Sequence, residues 1–257
     1  MISKNKVKAL RQLESKKHRR ETGLFVAEGP KVVGDLLAVG RARTIVATMP
    51  WHDAHPQVEA DEVIVVDDDT LRRVSFLQHP QQVLATFPLP DHSETVEESV
   101  EHIRRGLCLA LDGVQDPGNV GTIIRIADWF GIEHIYCSGD TADAYSPKVV
   151  QATMGSIARV RITYVDLPHL ITQLPPETPV YGTLLDGTDL YASDIFPNGL
   201  LVMGNEGNGI SAPVEALVTH RLLIPPFPAG RATADSLNVA IATAICCSEF
   251  RRRQRHL

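Results

Sequence analysis

A two-part α/β protein is the fold that the sequence predicts, and three observations predict it. Short apolar runs of four to seven residues alternate with helical patterns along a chain of 257 residues. The runs after residue 106 are continuous in hydrophobicity rather than alternating, as in a parallel sheet covered on both faces. Between the two parts, "FPLPDHSETVEESVEHIRRG" (87–106) carries two prolines, an acidic polar segment and a glycine, and reads as a linker that becomes a short helix.

In chain order, "LFVA" (24–27), "TIVAT" (44–48), "EVIVV" (62–66) and "QVLATF" (82–87) are expected strands, with helical patterns near 29–39 and 69–77. They define a small α/β domain over 1–90, of ordinary domain size. Residues 91–106 are the expected linker. From 107 to 257, "LCLALD" (107–112), "HIYCS" (134–138), "ARVRITY" (158–164), "VYGTLL" (180–185), "LLVMG" (200–204) and "RLLIP" (221–225) are expected strands of the second sheet. Neither an internal repeat nor a low-complexity segment is present.

Composition narrows the function classes. Hydrophobic residues make up 44% and charged residues 22%, an ordinary globular balance. No apolar run approaches the ~18 residues of a bilayer span, and the N-terminus lacks the apolar core of a signal peptide. Cys108, Cys137, Cys246 and Cys247 have no C-x-x-C spacing. Neither a disulfide framework nor a metal site is therefore expected, and the cytoplasm is the expected compartment. The net charge of −6 hides an asymmetry. Lys4, Lys6, Lys8, Arg11, Lys16, Lys17, Arg19 and Arg20 are opposed only by Glu14 in the first twenty residues, and Arg251, Arg252, Arg253 and Arg255 close the chain. Taken alone, such a run is a solvated helix or tail; two basic ends on an acidic chain are also what an anionic polymer would require.

Three loops follow strands of the second part, at the sheet edge where parallel sheets bind ligands. In "LDGVQDPGNVGTIIRIADWFGI" (111–132), Asp116-Pro117-Gly118 makes a turn and Asn119 suits a helix N-cap. Val120, Ile123, Ile124, Ala127 and Phe130 share one helix face, and Arg125 lies about 140° from Val120. Singly, Asn119 reads as a cap and Arg125 as an exposed helix arginine. The second loop, "MGNEGNGIS" (203–211), sets Glu206 among Gly204, Gly207 and Gly209. It is neither a dinucleotide fingerprint nor a Walker loop, and its carboxylate suits a ligand bearing positive charge or hydroxyl donors. In the third, "LLIPPFPAGRATADSLNVAIATAICCSEFRRR" (222–253), Ser236 is expected to open a helix buried from Leu237 to Cys247. Asn238 is its polar exception, an amide expected to be buried and in need of partners.

"PGNVGTIIRIADWFGI", "LVMGNEGNGIS" and "IPPFPAGRATADSLNVAIATAI", in that order, resemble the three motifs of the SpoU/TrmH family of ribose 2′-O-methyltransferases, within the SPOUT superfamily. The resemblance covers about residues 107–250. The stretch "NKVKALRQLESKKHRRETGLFVAEGPKVV" is similar to the small RNA-binding domain that precedes the catalytic domain in many members, often those acting on ribosomal RNA.

The resemblance implies a second domain (107–257) with a deep trefoil knot, an exception to the rule against knots. It also implies S-adenosyl-L-methionine as cofactor and a homodimer. Asn119, Arg125, Glu206, Ser236 and Asn238 become the expected catalytic constellation. Leu184, Met203, Gly204, Asn205, Gly207, Ile224 and Leu237 become the expected cofactor-binding residues. Ile224 and Ser236 are twelve positions apart, longer than the short forms of this motif, which leaves the path of loop 225–235 open. Lys4, Lys8, Lys16, Lys17, Arg19 and Arg20 are the expected RNA contacts. Arg125 either clamps phosphate and the developing alkoxide or loses its proton transiently. The expected reaction is 2′-O-methylation of ribosomal RNA; transfer RNA as substrate, or a catalytically silent RNA-binding member, are the alternatives.

Overall fold

The computed structural model describes residues 2–91, 93–228 and 234–254. Two compact units divide the chain: Met1–Asp91 with Asp143–Ala158, and His92–Ala142 with Arg159–Leu257.

The first unit begins with two helices, α1 (Lys4–Gln12) and α2 (Lys16–Thr22). Ser3 caps α1 by accepting from Lys6 N, and Gly23 ends α2 in the left-handed conformation, φ 65°. There follow β1 (Leu24–Glu28), α3 (Pro30–Leu37), β2 (Ala42–Thr48), α4 (Met49–Ala54), β3 (Ala60–Val66), α5 (Asp68–Val74) and β4 (Val83–Pro88). The sheet order is β1-β4-β2-β3, and only β2 and β3 run parallel. Leu10 and Leu13 join Val26, Val46, Leu71, Val74 and Leu84 in one core. That burial makes the basic N-terminal stretch a packed element instead of a tail. The segment 143–158 joins this unit because Tyr145 packs edge-on against Phe25, ring centroids 5.0 Å apart, and Asp143 pairs with Arg19.

In the second unit come α6 (Val96–Arg105), β5 (Leu107–Asp112), α7 (Pro117–Trp129) and β6 (His134–Cys137). The chain then supplies α8 (Pro147–Ala152) to the first unit and returns through β7 (Arg161–Tyr164), α9 (Leu167–Thr172), β8 (Val180–Asp189), β9 (Gly199–Gly204), α10 (Ala212–Glu215), β10 (His220–Leu223) and α11 (Val239–Gln254). Six strands form one sheet in the order β10-β8-β9-β5-β6-β7, with every neighbouring pair parallel. Central β5 is buried at all six positions, which is why its sequence is continuously apolar. Of the expected linker, residues 94–105 are structured parts of this unit. Thr95 and Glu98 make a capping box for α6, and Ile103 is fully buried in the sheet's core.

The side chain of Glu94, just before that box, is almost completely buried. Its carboxylate accepts from His102 Nδ1 and Tyr136 OH at 2.9 Å, Ser99 Oγ at 3.0 Å and Thr163 Oγ1 at 3.3 Å. Burial alone would raise its acid range; the bonds from His102, Tyr136 and Ser99 and the nearby His134 bring it below the ordinary carboxylate range. The segment entering the second unit is thereby fastened to β6 and β7.

Candidate active site

The strand order reverses between β9 and β5, and at such a switch point two loops diverge and leave a crevice at the carboxyl ends of the strands. The loop after β5 and the loop after β9 meet there. Asn205 Nδ2 donates to Gly113 O at 2.7 Å, while its Oδ1 accepts from Gly207 N and Asn208 N, both at 2.9 Å. Asp112 Oδ2 accepts from Ser211 N at 2.7 Å. Gly204 admits no side chain: an added Cβ would stand 2.3 Å from the backbone carbon of Gly209. The glycines thus let this loop fold back on itself.

Three of the expected catalytic residues form a hydrogen-bonded relay whose polarity the helix geometry dictates. Asn238 precedes α11, and its Oδ1 accepts from Ala240 N at 3.0 Å and Ile241 N at 3.2 Å, an N-cap. Its Nδ2 is left to donate, and does so to Asn119 Oδ1 at 2.9 Å. Asn119 must then donate through Nδ2, which reaches Glu206 Oε1 at 2.9 Å. Glu206 also faces Gln115 N and Asp116 N, each at 3.4 Å. One chain of side chains therefore joins all three motif loops.

Several expectations need correction. The cap of α7 is Asp116, whose side chain accepts from Asn119 N at 2.8 Å; Asn119 sits inside the first turn, which frees its amide for the relay. Helix α11 begins at Val239, not Ser236. Ser236 is exposed and outside the relay, because Asn238 supplies the cap two residues later. Asn238 is itself exposed rather than buried, and Leu237 and Ile241 are 50% and 53% exposed at the end expected to be covered. Arg125 stands exposed on α7, with no ion-pair partner among the described residues. Of the expected cofactor residues, Met203 is buried, Leu184, Gly204, Asn205 and Ile224 are half-buried, and Gly207 and Leu237 are exposed. Residues 229–233 of the long loop lie outside the described residues. Asn205 was expected only as a cofactor contact; its role in tying the loop was legible in the Asn-x-Gly spacing of an Asx turn.

Lys4, Lys8, Lys16, Lys17 and Arg20 are exposed on the first unit. Arg19 is not: only 2% exposed, it donates to Leu13 O at 2.8 Å, Glu14 O at 2.7 Å and Asp143 Oδ2 at 2.5 Å. It is an internal tie, unavailable to RNA. The C-terminal arginines are engaged too. Arg251 donates to Phe130 O and Gly131 O, while Arg252 and Arg253 both bond Glu249, whose carboxyl they hold at about 2. Arg255 lies outside the described residues. Glu94, His102 and His134 place potential metal-ligating atoms within 4.8 Å of one another. The two rings stack, however, 21° from parallel, so their nitrogens point side by side rather than at one centre, and Glu94 is already filled by donors.

Comparison with known proteins converges with this geometry. Residues 106–248 match the SpoU rRNA methylase family, and residues 4–85 match an MRM3-like substrate-binding domain. The 23S rRNA guanosine 2′-O-methyltransferase RlmP of Bacillus subtilis is 30% identical, over 96% of each chain. A putative TrmH-family RNA methyltransferase of known structure, from Porphyromonas gingivalis, is 45% identical with a TM-score of 0.85, covering 98% of this chain and 99% of its own. An S-adenosylmethionine-bound rRNA methyltransferase structure from Sinorhizobium meliloti is 32% identical, TM-score 0.84, covering 98% and 97%.

Proposed function

The chain belongs to the SpoU rRNA methylase family, and from that premise we propose that it methylates the 2′-hydroxyl of a ribose in ribosomal RNA, with S-adenosyl-L-methionine as methyl donor. The observation that carries the reading is the relay Asn238–Asn119–Glu206, which closes the three motif loops into one site. The loops fit the cofactor. Backbone of the glycine-rich turn 204–209, the half-buried side chains of Leu184 and Ile224, and buried Met203 offer apolar and hydrogen-bonding surface. Glu206 supplies negative charge suited to a cation. When bound, S-adenosyl-L-methionine supplies an activated methyl group on a sulfonium.

The chain's own residues orient the other substrate. A guanidinium keeps its charge across the working pH range. Arg125 therefore acts as a fork that binds the phosphate beside the target ribose and stabilises the 2′-oxygen as it loses its proton. Glu206 is committed to Asn119 and the backbone of the α7 turn; it organises the site and is not the base. In this reading Ser236, exposed two residues before Asn238, contacts the RNA substrate rather than the relay. A silent, purely RNA-binding member would have no need for an intact relay together with an exposed Arg125 on α7 that has no ion-pair partner among the described residues.

The same reading includes a trefoil knot in the second unit. It also includes a homodimer built on α7 and α11, where Trp129 is 84% exposed and Leu237 and Ile241 are half-exposed. We place the protein in the cytoplasm, where its four buried, unbridged thiols would persist. Incubating the purified protein with ribosomal RNA from cells lacking it, then mapping ribose methylation, should reveal one new methylated position. Arg125→Ala should lower kcat by about 10²–10³ while leaving cofactor affinity unchanged. Absence of methyl transfer by the native protein to any ribosomal RNA would overturn the assignment.

A further inference from the structure

The first unit contains a concave feature that methyl transfer does not use. Residues 75–82 join α5 to β4, and this turn is fastened at both ends. At its start the buried Glu28 carboxylate accepts from Ser75 Oγ and from Phe76 N at 2.8 Å, and Leu77 N donates to Ser75 Oγ at 3.0 Å. Arg11 stacks 4.5 Å from the Phe76 ring centre and donates to Ser75 O. At its end Thr48 N donates to Gln82 O at 2.8 Å and Gly29 N to Val83 O at 2.9 Å. Gln82 is held at φ 56°, a left-handed conformation that a non-glycine residue keeps only where its surroundings over-determine it. Such strain is concentrated at functional turns.

Between these anchors Gln78, His79, Gln81 and Gln82 are exposed. Gln78 and His79 border a cavity of about 220 Å³, lined also by Asp68, Leu71, Arg72 and Pro80. Leu71 and Pro80 provide apolar wall. Around it stand a carboxylate acceptor, an amide that both donates and accepts, an imidazole and a guanidinium. Arg72 is steadied by Asp69 at 2.7 Å. Asp68 and Asp69 make this a poor phosphate site. Flat, stackable groups beside mixed donors and acceptors instead suit the face and edge of an unpaired nucleobase. The whole feature lies inside the segment matched to a substrate-binding domain.

We propose that this cavity holds one unpaired nucleobase of the RNA substrate, a nucleotide other than the one methylated, read by Gln78 and His79 and stacked by His79 or Arg72. The inference rests on the RNA methyltransferase reading and names where part of its specificity resides. Gln78→Ala/His79→Ala in the full chain should weaken binding to the substrate ribosomal RNA by about tenfold or more, the cost of losing one stacked base. Its kcat at saturating RNA should stay within twofold, its melting temperature should hold, and its salt slope should be unchanged because no phosphate contact is removed. Independently, native protein irradiated with 4-thiouridine-substituted substrate RNA should cross-link within residues 77–82. RNA affinity within twofold of native at unchanged melting, a salt slope reduced by a full unit, or cross-links confined elsewhere would each overturn the pocket. Failure of the native protein to methylate ribosomal RNA would instead overturn the activity itself, so the two failures are distinguishable.

Discussion

At the scale of single residues, the relay makes a prediction that a list of catalytic residues does not. Asn119 is the one member that both accepts and donates, so its two side-chain atoms are not interchangeable. Asn119→Asp would still accept from Asn238 but would set a second carboxylate against Glu206. It should lower stability modestly, by about 0.5–1 kcal/mol at this solvent-exposed pair, and methyl transfer with it. Glu206→Gln should be mild alone, since an amide oxygen still accepts from Asn119. Combining the two should recover much of the loss, because a glutamine at 206 can donate to an aspartate at 119. A double-mutant cycle on melting and on kcat reads the coupling directly; strictly additive effects would dissolve the relay. How legible the residues were depended on the range of their partners. Glu206, Asn119 and Asn238 were recognisable because their motifs are local patterns in a known order. Burial of Arg19 was not, because it pairs with Asp143, 124 positions away, and no local pattern records that.

Among elements, the apolar runs were the most legible feature: each of the ten expected strands is present, with ends moved by a few residues. A strand buried on both faces, as β5 is at all six positions, has little choice but continuous hydrophobicity, and the sequence displays it. Helix starts were harder to read. Ser236 and Asn238 are both good cap formers, and only the reach of Asn238 to Asn119 selects the second. That dual duty separates structure from chemistry at α11. Asn238→Asp retains a cap oxygen and adds favourable charge at a helix N-terminus, but removes the donor to Asn119. It should therefore keep the native melting temperature and lose activity, whereas Asn238→Ala should lose activity and about 1 kcal/mol of stability together. Equal melting of the alanine variant and the native protein would remove the capping role. Equal turnover by the aspartate variant would remove the relay from catalysis.

For the whole molecule, the question is how a chain of net charge −6 holds RNA. The two basic ends that suggested a nucleic-acid partner are unequal in the folded protein. Arg251, Arg252 and Arg253 are spent on carbonyls and on Glu249, and Arg19 on the interior of the first unit. Lys4, Lys8, Lys16, Lys17 and Arg20 lie exposed on the substrate-binding unit. The Lys17–Glu21 pair, 3.8 Å apart with both side chains exposed, competes weakly for one of them. Affinity for RNA through phosphate falls with salt by about 0.7 logarithmic units per contact on single strands and 0.9 on duplex. Replacing Lys16, Lys17 and Arg20 with glutamine should thus flatten the salt dependence of RNA binding by about two to three units if all three touch phosphate. Cofactor affinity, measured by calorimetry without RNA, should not change. Arg19→Gln should do the reverse: it removes one partner of a buried pair, costing about 3–5 kcal/mol of stability, and leaves the slope alone in whatever fraction remains folded. Should the triple variant bind RNA with the native slope, α2 is only a solvated face, and the RNA must be held by surfaces other than the basic N-terminus.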